Sequence, residues 1–178
     1  DGSMTIVGDL AQSTGPFARG SWDEVATALA QTHPVEHRAL EYGYRVPRQV
    51  MELAAKLLPY AAPEIEPPAV VRDAPEDPEL IEAPAEEHCE RAIAAARGYA
   101  GRGLSVGIIC PDESRHLVLE ELERQKVKWN DGTDGALGQG INLVSPVGSK
   151  GLEFDAVVVV SPHVMVEEDE HGYRMLYI

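Results

Sequence analysis

The sequence predicts an α/β fold: a mostly parallel sheet with helices on both faces. Three observations carry this expectation. Strand-like and helix-like segments alternate along the chain. The strand-like segments of the second half, "LSVGIIC", "INLVS" and "DAVVVVS", are continuous apolar runs rather than one-in-two alternations, as in strands buried on both sides. Polar or glycine-bearing turns close two of the apolar runs, at Gly8-Asp9 and at Ser145 to Lys150. Open parallel sheets hold their ligands at such carboxyl ends.

Taken in order, "MTIVGD" reads as a buried strand ending at Gly8-Asp9, and Gly15-Pro16 punctuates the loop after it. "SWDEVATALAQ" carries a capping box, Ser21 as N-cap and Glu24 three residues later. Trp22, Val25, Ala26 and Leu29 then share one helix face. "HRALEYGYR" has weak strand character. "VPRQVMELAAKLLP" reads as a helix with Pro47 in its first turn, a stripe of Val50, Leu53, Ala54 and Leu57, and Pro59 as its stop. Prolines recur amid Asp and Glu over 61–87, which predicts a mostly irregular acidic connection with short strands at most in "VVRD" and "ELIEA". "EEHCERAIAAARGYAGRG" is a helix with a glycine stop, and "DESRHLVLEELERQKV" is a second one. The latter turns Val118, Leu119 and Leu122 inward and offers a Glu120–Arg124 pair. Residues 104–109, 141–145 and 155–160 are expected as central parallel strands.

At 178 residues the chain holds one core, or one and a half small ones. Its 44% hydrophobic and 25% charged residues are those of a globular protein. No apolar run approaches the roughly eighteen residues of a membrane helix, and "DGSMTIVGDL" lacks the basic start of a secretory signal. The formal net charge of −15 argues against a surface that binds nucleic acid by bulk electrostatics. Cys89 and Cys110 fit neither a disulfide framework nor a zinc site, so a reduced, cytoplasmic setting is expected. His33 and His37 have helical spacing, but Pro34 lies between them. No metal site is expected. The start just before "MTIV" and the stop within the apolar "YRMLYI" fit a fragment of a longer chain.

The stretch "SPVGSKGLEFDAVVVV" raises the question of a phosphate loop. It is not the G-x-x-x-x-G-K-[ST] loop: no glycine stands at the required distance upstream, and Gly151 replaces the hydroxyl residue that would hold Mg²⁺. The remaining candidates are single polar residues at strand ends. Asp9 and Gln12 follow the first strand, Arg45 precedes a helix, and Lys150 and Glu153 bracket Gly151. Each has an ordinary structural use as well. An Asp after a strand caps turns, and a strand-end Arg joins surface ion pairs.

Together and in order, four segments resemble the second half of a superfamily 1 helicase core of the UvrD-like class. "TIVGDLAQST" resembles that family's motif III, "LEYGYRVPRQVMELA" its motif IV, "INLVSPVGSKGLEFDAVVVV" its motif V, and "YRMLYI" the opening of motif VI, at Tyr177. The Lys-Gly-Leu-Glu-Phe core is the most specific match. The resemblance implies a RecA-like three-layer domain. It assigns 1–38 to the strand, loop and helix that end a first RecA-like domain, and 39–178 to a second, with 61–87 as its acidic connection. It also implies roles. Gln12 would sense the γ-phosphate, Asp9 would support that loop, Arg45 would reach the γ-phosphate across the cleft, and Gly151 and Glu153 would line the nucleotide. Lys150 would contact a nucleic-acid backbone or simply solvate its loop.

ATP and Mg²⁺ would serve the parent enzyme, an ATP-dependent DNA helicase. None would be bound by this chain alone, which lacks the triphosphate cradle. DNA and the N-terminal RecA-like domain of the same protein are the implied partners. Two departures stand out. Val147, Gly148 and Ser149 replace the family's His-Ser-Ala, and "GPFARGSWDEV" replaces an aromatic-rich tail. Both are similar to the HelD branch, which implies RNA polymerase as an alternative partner and a protein-interaction role. An unrelated flavodoxin-like domain is the third reading.

Overall fold

The apolar runs of the second half pair as parallel strands. The computed structural model describes residues 4–29, 35–133, 135–168 and 171–178. The chain divides into two compact units: residues up to Pro78 with His171–Ile178, and Glu79–Glu170.

In the first unit, helix α1 (Trp22–Ala28) starts as its capping box dictates. Ser21 Oγ accepts from the Glu24 N–H at 3.2 Å. The Glu24 carboxylate returns the bond one residue further upstream, to the Gly20 N–H at 3.0 Å. The expected buried strand over "MTIVGD" does not form. Met4, Ile6 and Val7 are 70%, 47% and 80% exposed, because no strand among the described residues lies beside them to complete a ladder. Strand β1 is only Tyr42–Gly43, paired in parallel with β2, Ala69–Val70.

Helix α2 (Arg48–Ala55) has Pro47 as its N-cap rather than in its first turn. Pro59 does not end that helix. It sits in the first turn of a separate short helix, α3 (Leu58–Ala61), where a missing N–H costs nothing. A 3₁₀ turn at Leu10–Gln12 and a last helix, α7 (Gly172–Tyr177), complete the unit. Its small core is Ala11, Leu58 and Ala62, with Ala55, Ile65 and Tyr177 against it. Tyr60 and Tyr173 stack with ring centroids 4.8 Å apart. Between Ala62 and His88, β2 and a 3₁₀ turn at Ala85–Glu87 are the regular elements among the described residues.

The second unit holds α4 (His88–Gly101), β3 (Val106–Ile109), α5 (Arg115–Arg124), β4 (Trp129–Asp131), β5 (Ile141–Val144), β6 (Ala156–Val159) and α6 (Pro162–Glu168). The four strands run parallel in the order β4-β5-β3-β6, an α/β arrangement. Every residue of β3 and β5 is buried. One face of the sheet presents Val106, Ile108, Ile141 and Leu143 to Ile93 and Ala96 of α4 and to Val118 and Leu122 of α5. Burying each such aliphatic side chain contributes about 1.5–3 kcal/mol.

On the other face Phe154 lies over Gly107 so closely that a Cβ there would stand 2.7 Å from its ring. Asn142, fully buried beside it, donates to the carbonyls of Gly138, Gly140 and Val106 and accepts from the Gly138 N–H at 2.8 Å. This tethers the loop before β5. Of the three strands expected at the centre, β6 is instead at the edge. Its Ala156 and Val158 pack on the core, while Val157 and Val159 are 52% and 40% exposed. An apolar run shows that a strand can be buried, but a neighbouring element must cover each face. Arg124 also departs from expectation. It pairs with Glu121 at 2.6 Å and reaches Glu90 of α4 at 3.6 Å, rather than taking Glu120.

Candidate functional site

Asp9 and Gln12 are brought together. Asp9 Oδ1 caps the 3₁₀ turn by accepting from the Ala11 N–H at 2.9 Å, and Oδ2 accepts from the Gln12 amide at 2.8 Å. The carboxylate thereby fixes both the backbone and the one amide side chain of the loop. Helix α7 packs on this turn. Arg174 donates through Nη1 to Ser13 O at 2.9 Å and through Nε to Ala61 O at 2.8 Å. Burial pushes up the Tyr177 hydroxyl pKa, and the Asp9 charge adds to the shift. The Asp9–Ser13 loop and helix α7 are therefore neighbours within one unit.

Arg45 is exposed in the bend between β1 and α2, and its carbonyl accepts from Arg72 Nη1 at 3.1 Å. The junction is tied further to the strand-exit segment 72–74. Arg48 bonds Asp73, which raises the already high guanidinium pKa. Gln49 exchanges two bonds with Ala74, accepting from its N–H at 2.9 Å and donating to its carbonyl at 3.3 Å. Sequence reasoning missed Arg48, Gln49, Arg72, Asp73 and Arg174, because their partners lie 25 or more residues away.

Lys150, Gly151 and Glu153 belong to the second unit. Their loop leaves β5 and folds back on itself. Ser145 Oγ accepts from the Gly148 N–H at 3.1 Å, Ser149 N–H donates to Ser145 O at 2.9 Å, Lys150 N–H to Val147 O at 3.4 Å and Leu152 N–H to Ser149 O at 3.0 Å. These four donors are engaged within the loop and are not offered to a phosphate. Gly151 has φ +81°, which glycine adopts without strain. Downstream the loop is anchored by Phe154 on Gly107 and by Asp155, whose Oδ2 accepts from the Ser105 N–H at 2.8 Å. The exposed Lys150 and Glu153 thus sit between two fixed ends.

The strand order gives this loop its significance. From β3 the chain crosses to β4 on one side, and from β5 it crosses to β6 on the other. The two strands are neighbours, and their ends finish together: Ile109 is in register with Val144, and the Cys110 N–H donates to Val144 O at 3.3 Å. Each connection passes the other strand, β5 on the way to β4 and β3 on the way to β6, and the carboxyl ends of neighbouring strands with oppositely directed connections are the usual ligand position in open parallel sheets. The Ser145–Glu153 loop leaves β5 at that end, beside Cys110 to Asp112, which leave β3.

Next to it, Arg115 at the start of α5 donates to Asp131 at 3.0 Å and to Thr133 Oγ at 3.3 Å. The hydroxyl and then the N–H of Thr133 hold the Asp131 carboxyl below the usual carboxylate range, with Arg115 adding to the effect. At the end of β6, Ser161 has φ +48° and shares a 2.8 Å bond with His88 Nδ1. The other His88 nitrogen is 2.9 Å from the Ala83 carbonyl. A carbonyl only accepts, so Nε2 carries a proton and donates to Ala83 O.

Among the described residues no helix is long and apolar enough to cross a membrane. A scan against protein-family models finds none that matches, and a search of curated proteins finds no matching relative.

Proposed function

We propose that this chain is part of an ATP-dependent motor of the UvrD-like helicase class, supplying one wall of the ATP cleft and coupling hydrolysis to movement on nucleic acid. The observation that carries the reading is the position of Ser145–Glu153 at the carboxyl end of β5, beside the end of β3 in a parallel sheet. This is also the stretch with the most specific resemblance to the family. In this reading Gly151 lets the backbone pass close to the nucleotide, and Glu153 accepts from a ribose hydroxyl. Gln12, oriented by Asp9, faces the γ-phosphate, and Arg45 brings positive charge to the transition state. Lys150 meets the phosphate backbone of DNA. Phosphoryl transfer depends chiefly on positioning and charge stabilisation, which is work these residue types can do. Four N–H groups of the loop after β5 are engaged within it, and in this reading the triphosphate and its Mg²⁺ are cradled by another part of the protein. A cytoplasmic setting goes with this reading.

The test has two arms. The purified 178-residue chain should show no ATP turnover above background. In the full-length protein, Arg45→Ala should lower kcat by roughly 10³-fold or more with little change in KM. Turnover by the isolated chain, or an Arg45→Ala protein of normal kcat, would sink the proposal.

A second reading, a module that docks on RNA polymerase, is favoured by one feature. At Val147–Ser149 the family's histidine is replaced by an exposed valine, and Gly148 and Ser149 are engaged within the loop. The acidic chain suits a basic partner surface. Capture of purified polymerase by this chain, with no loss on mutating Arg45, separates that reading from the first.

A further inference from the structure

The opposite end of the sheet carries a separate feature. Beside the start of β5, a cleft of about 360 Å³ is lined by Arg97, Gln125, Lys126, Lys128, Gln139 and Gly140, among others. At about 3.3 Å per residue, the strand sets it some 13 Å from the carboxyl end of β5. Three of its lining residues are cations and none is an acid, in a chain of formal net charge −15.

The ordinary use of cations here would be to neutralise the carboxyl ends of α4 and α5. Each helix end amounts to about half a negative charge, so three full charges leave an excess of about two. The last-turn carbonyls are also already engaged. Glu121, Leu122 and Glu123 accept from the N–H groups of Gln125, Val127 and Lys126, and Tyr99 and Ala100 accept from Arg102 and Gly103. The carbonyls of Gln139 and Gly140 accept from Asn130 and from Val106 and Asn142. Oxygens that would repel an anion are therefore turned to other partners. Lys126 and Lys128 form no ion pair among the described residues.

Lys126 adds an independent observation. Its φ is +53°, in the left-handed region. It follows α5 at the place where a glycine usually stands, since glycine takes that conformation freely and a residue with a side chain is strained there. Such broken local rules concentrate at functional or strained sites.

We propose that this cleft binds a phosphate-bearing anion, held by Arg97, Lys126 and Lys128. The excess charge matches one terminal phosphate of about −1.5 to −2 or two backbone phosphodiesters of one charge each, and the planar guanidinium suits their oxygens. Such a group can come from a free oligophosphate or from the backbone of single-stranded nucleic acid.

The test is titration of the 178-residue chain with inorganic pyrophosphate and, separately, with a short oligothymidylate, at low and moderate salt. Saturable binding of either is expected. Pyrophosphate alone identifies a free oligophosphate as the source, and much tighter, steeply salt-dependent oligonucleotide binding identifies the nucleic-acid backbone. The double variant Lys126→Ala, Lys128→Ala should bind at least tenfold more weakly, and Lys56→Ala, an exposed lysine of the first unit, should bind as before. Lys126→Gly is the sharpest probe: it should raise the thermal midpoint while weakening binding. No saturable binding of either probe, or unchanged affinity in the double variant, would overturn the proposal.

Discussion

Arg174 donates to the carbonyl of Ser13 at 2.9 Å, across a separation of 161 residues. Its Nε meets Ala61 O at 2.8 Å. One side chain therefore holds the Asp9–Gln12 loop and the end of α3 in a common frame. Removing it leaves two part-buried carbonyls without a donor, and bonds from a charged donor contribute about 1.5–3 kcal/mol each. Arg174→Ala should lower unfolding stability by roughly 2–4 kcal/mol in urea titration. Arg174→Lys should recover less than half, because a point charge cannot divide two fixed donors between two carbonyls.

Asp9 caps a turn and grips an amide at once. Asp9→Ala should cost about 1 kcal/mol, the usual value of a lost cap. Gln12→Ala, which leaves the cap intact, should cost less than about 0.5 kcal/mol. Under the proposed motor reading, the same pair of variants in the parent protein should reverse in rank when ATP turnover is measured, with Gln12→Ala the more severe. Equal ranking in both measurements would reduce Gln12 to a structural role.

Gly107 has no room for a methyl group beneath Phe154. Gly107→Ala should destabilise by about 1–3 kcal/mol through overpacking. Combining it with Phe154→Leu should give a penalty smaller than the sum of the two single changes, the mark of a direct contact. Strict additivity in equilibrium unfolding would argue against the contact.

Cys110 is fully buried, and burial pushes its thiol up to about 11, with Arg115 opposing the shift. The folded state holds this proton more tightly than the unfolded chain does. Stability from this group is complete below pH 9 and is lost as pH rises toward about 11. Cys110→Ala should flatten that alkaline decline. At neutral pH a thiol reagent should reach the half-buried Cys89 first and Cys110 only as the unit opens.

Much of the second unit was legible in the sequence because its signals are local. Apolar runs placed β3, β5 and β6, and helical periodicity placed α4 and α5. The cap at Ser21 followed from a three-residue pattern. What escaped was set by partners distant in sequence. Nothing in "AVVV" distinguishes an edge strand from a central one, since that depends on which strands pair on either side. The stripe 50–57 could not show that α2 would end at Ala55 and that Pro59 would open a new helix. Arg124 chose Glu121 and Glu90 because α4 lies alongside α5. In the candidate site the residue types were visible, but their anchors were not: Phe154 on Gly107, Gln49 on Ala74 and Arg174 on Ser13 all join remote segments.

The outer edge of β6 has a consequence for the chain in solution. A strand that pairs on one side, with two bare valines on one face, is a template on which another extended segment can grow. The formal charge of −15 at pH 7 keeps copies apart, but it fades toward the isoelectric point near 4.7. Acidification therefore removes the repulsion while leaving the sticky edge in place. Light scattering at pH 5 should therefore exceed that at pH 7, and Val157→Lys should reduce it.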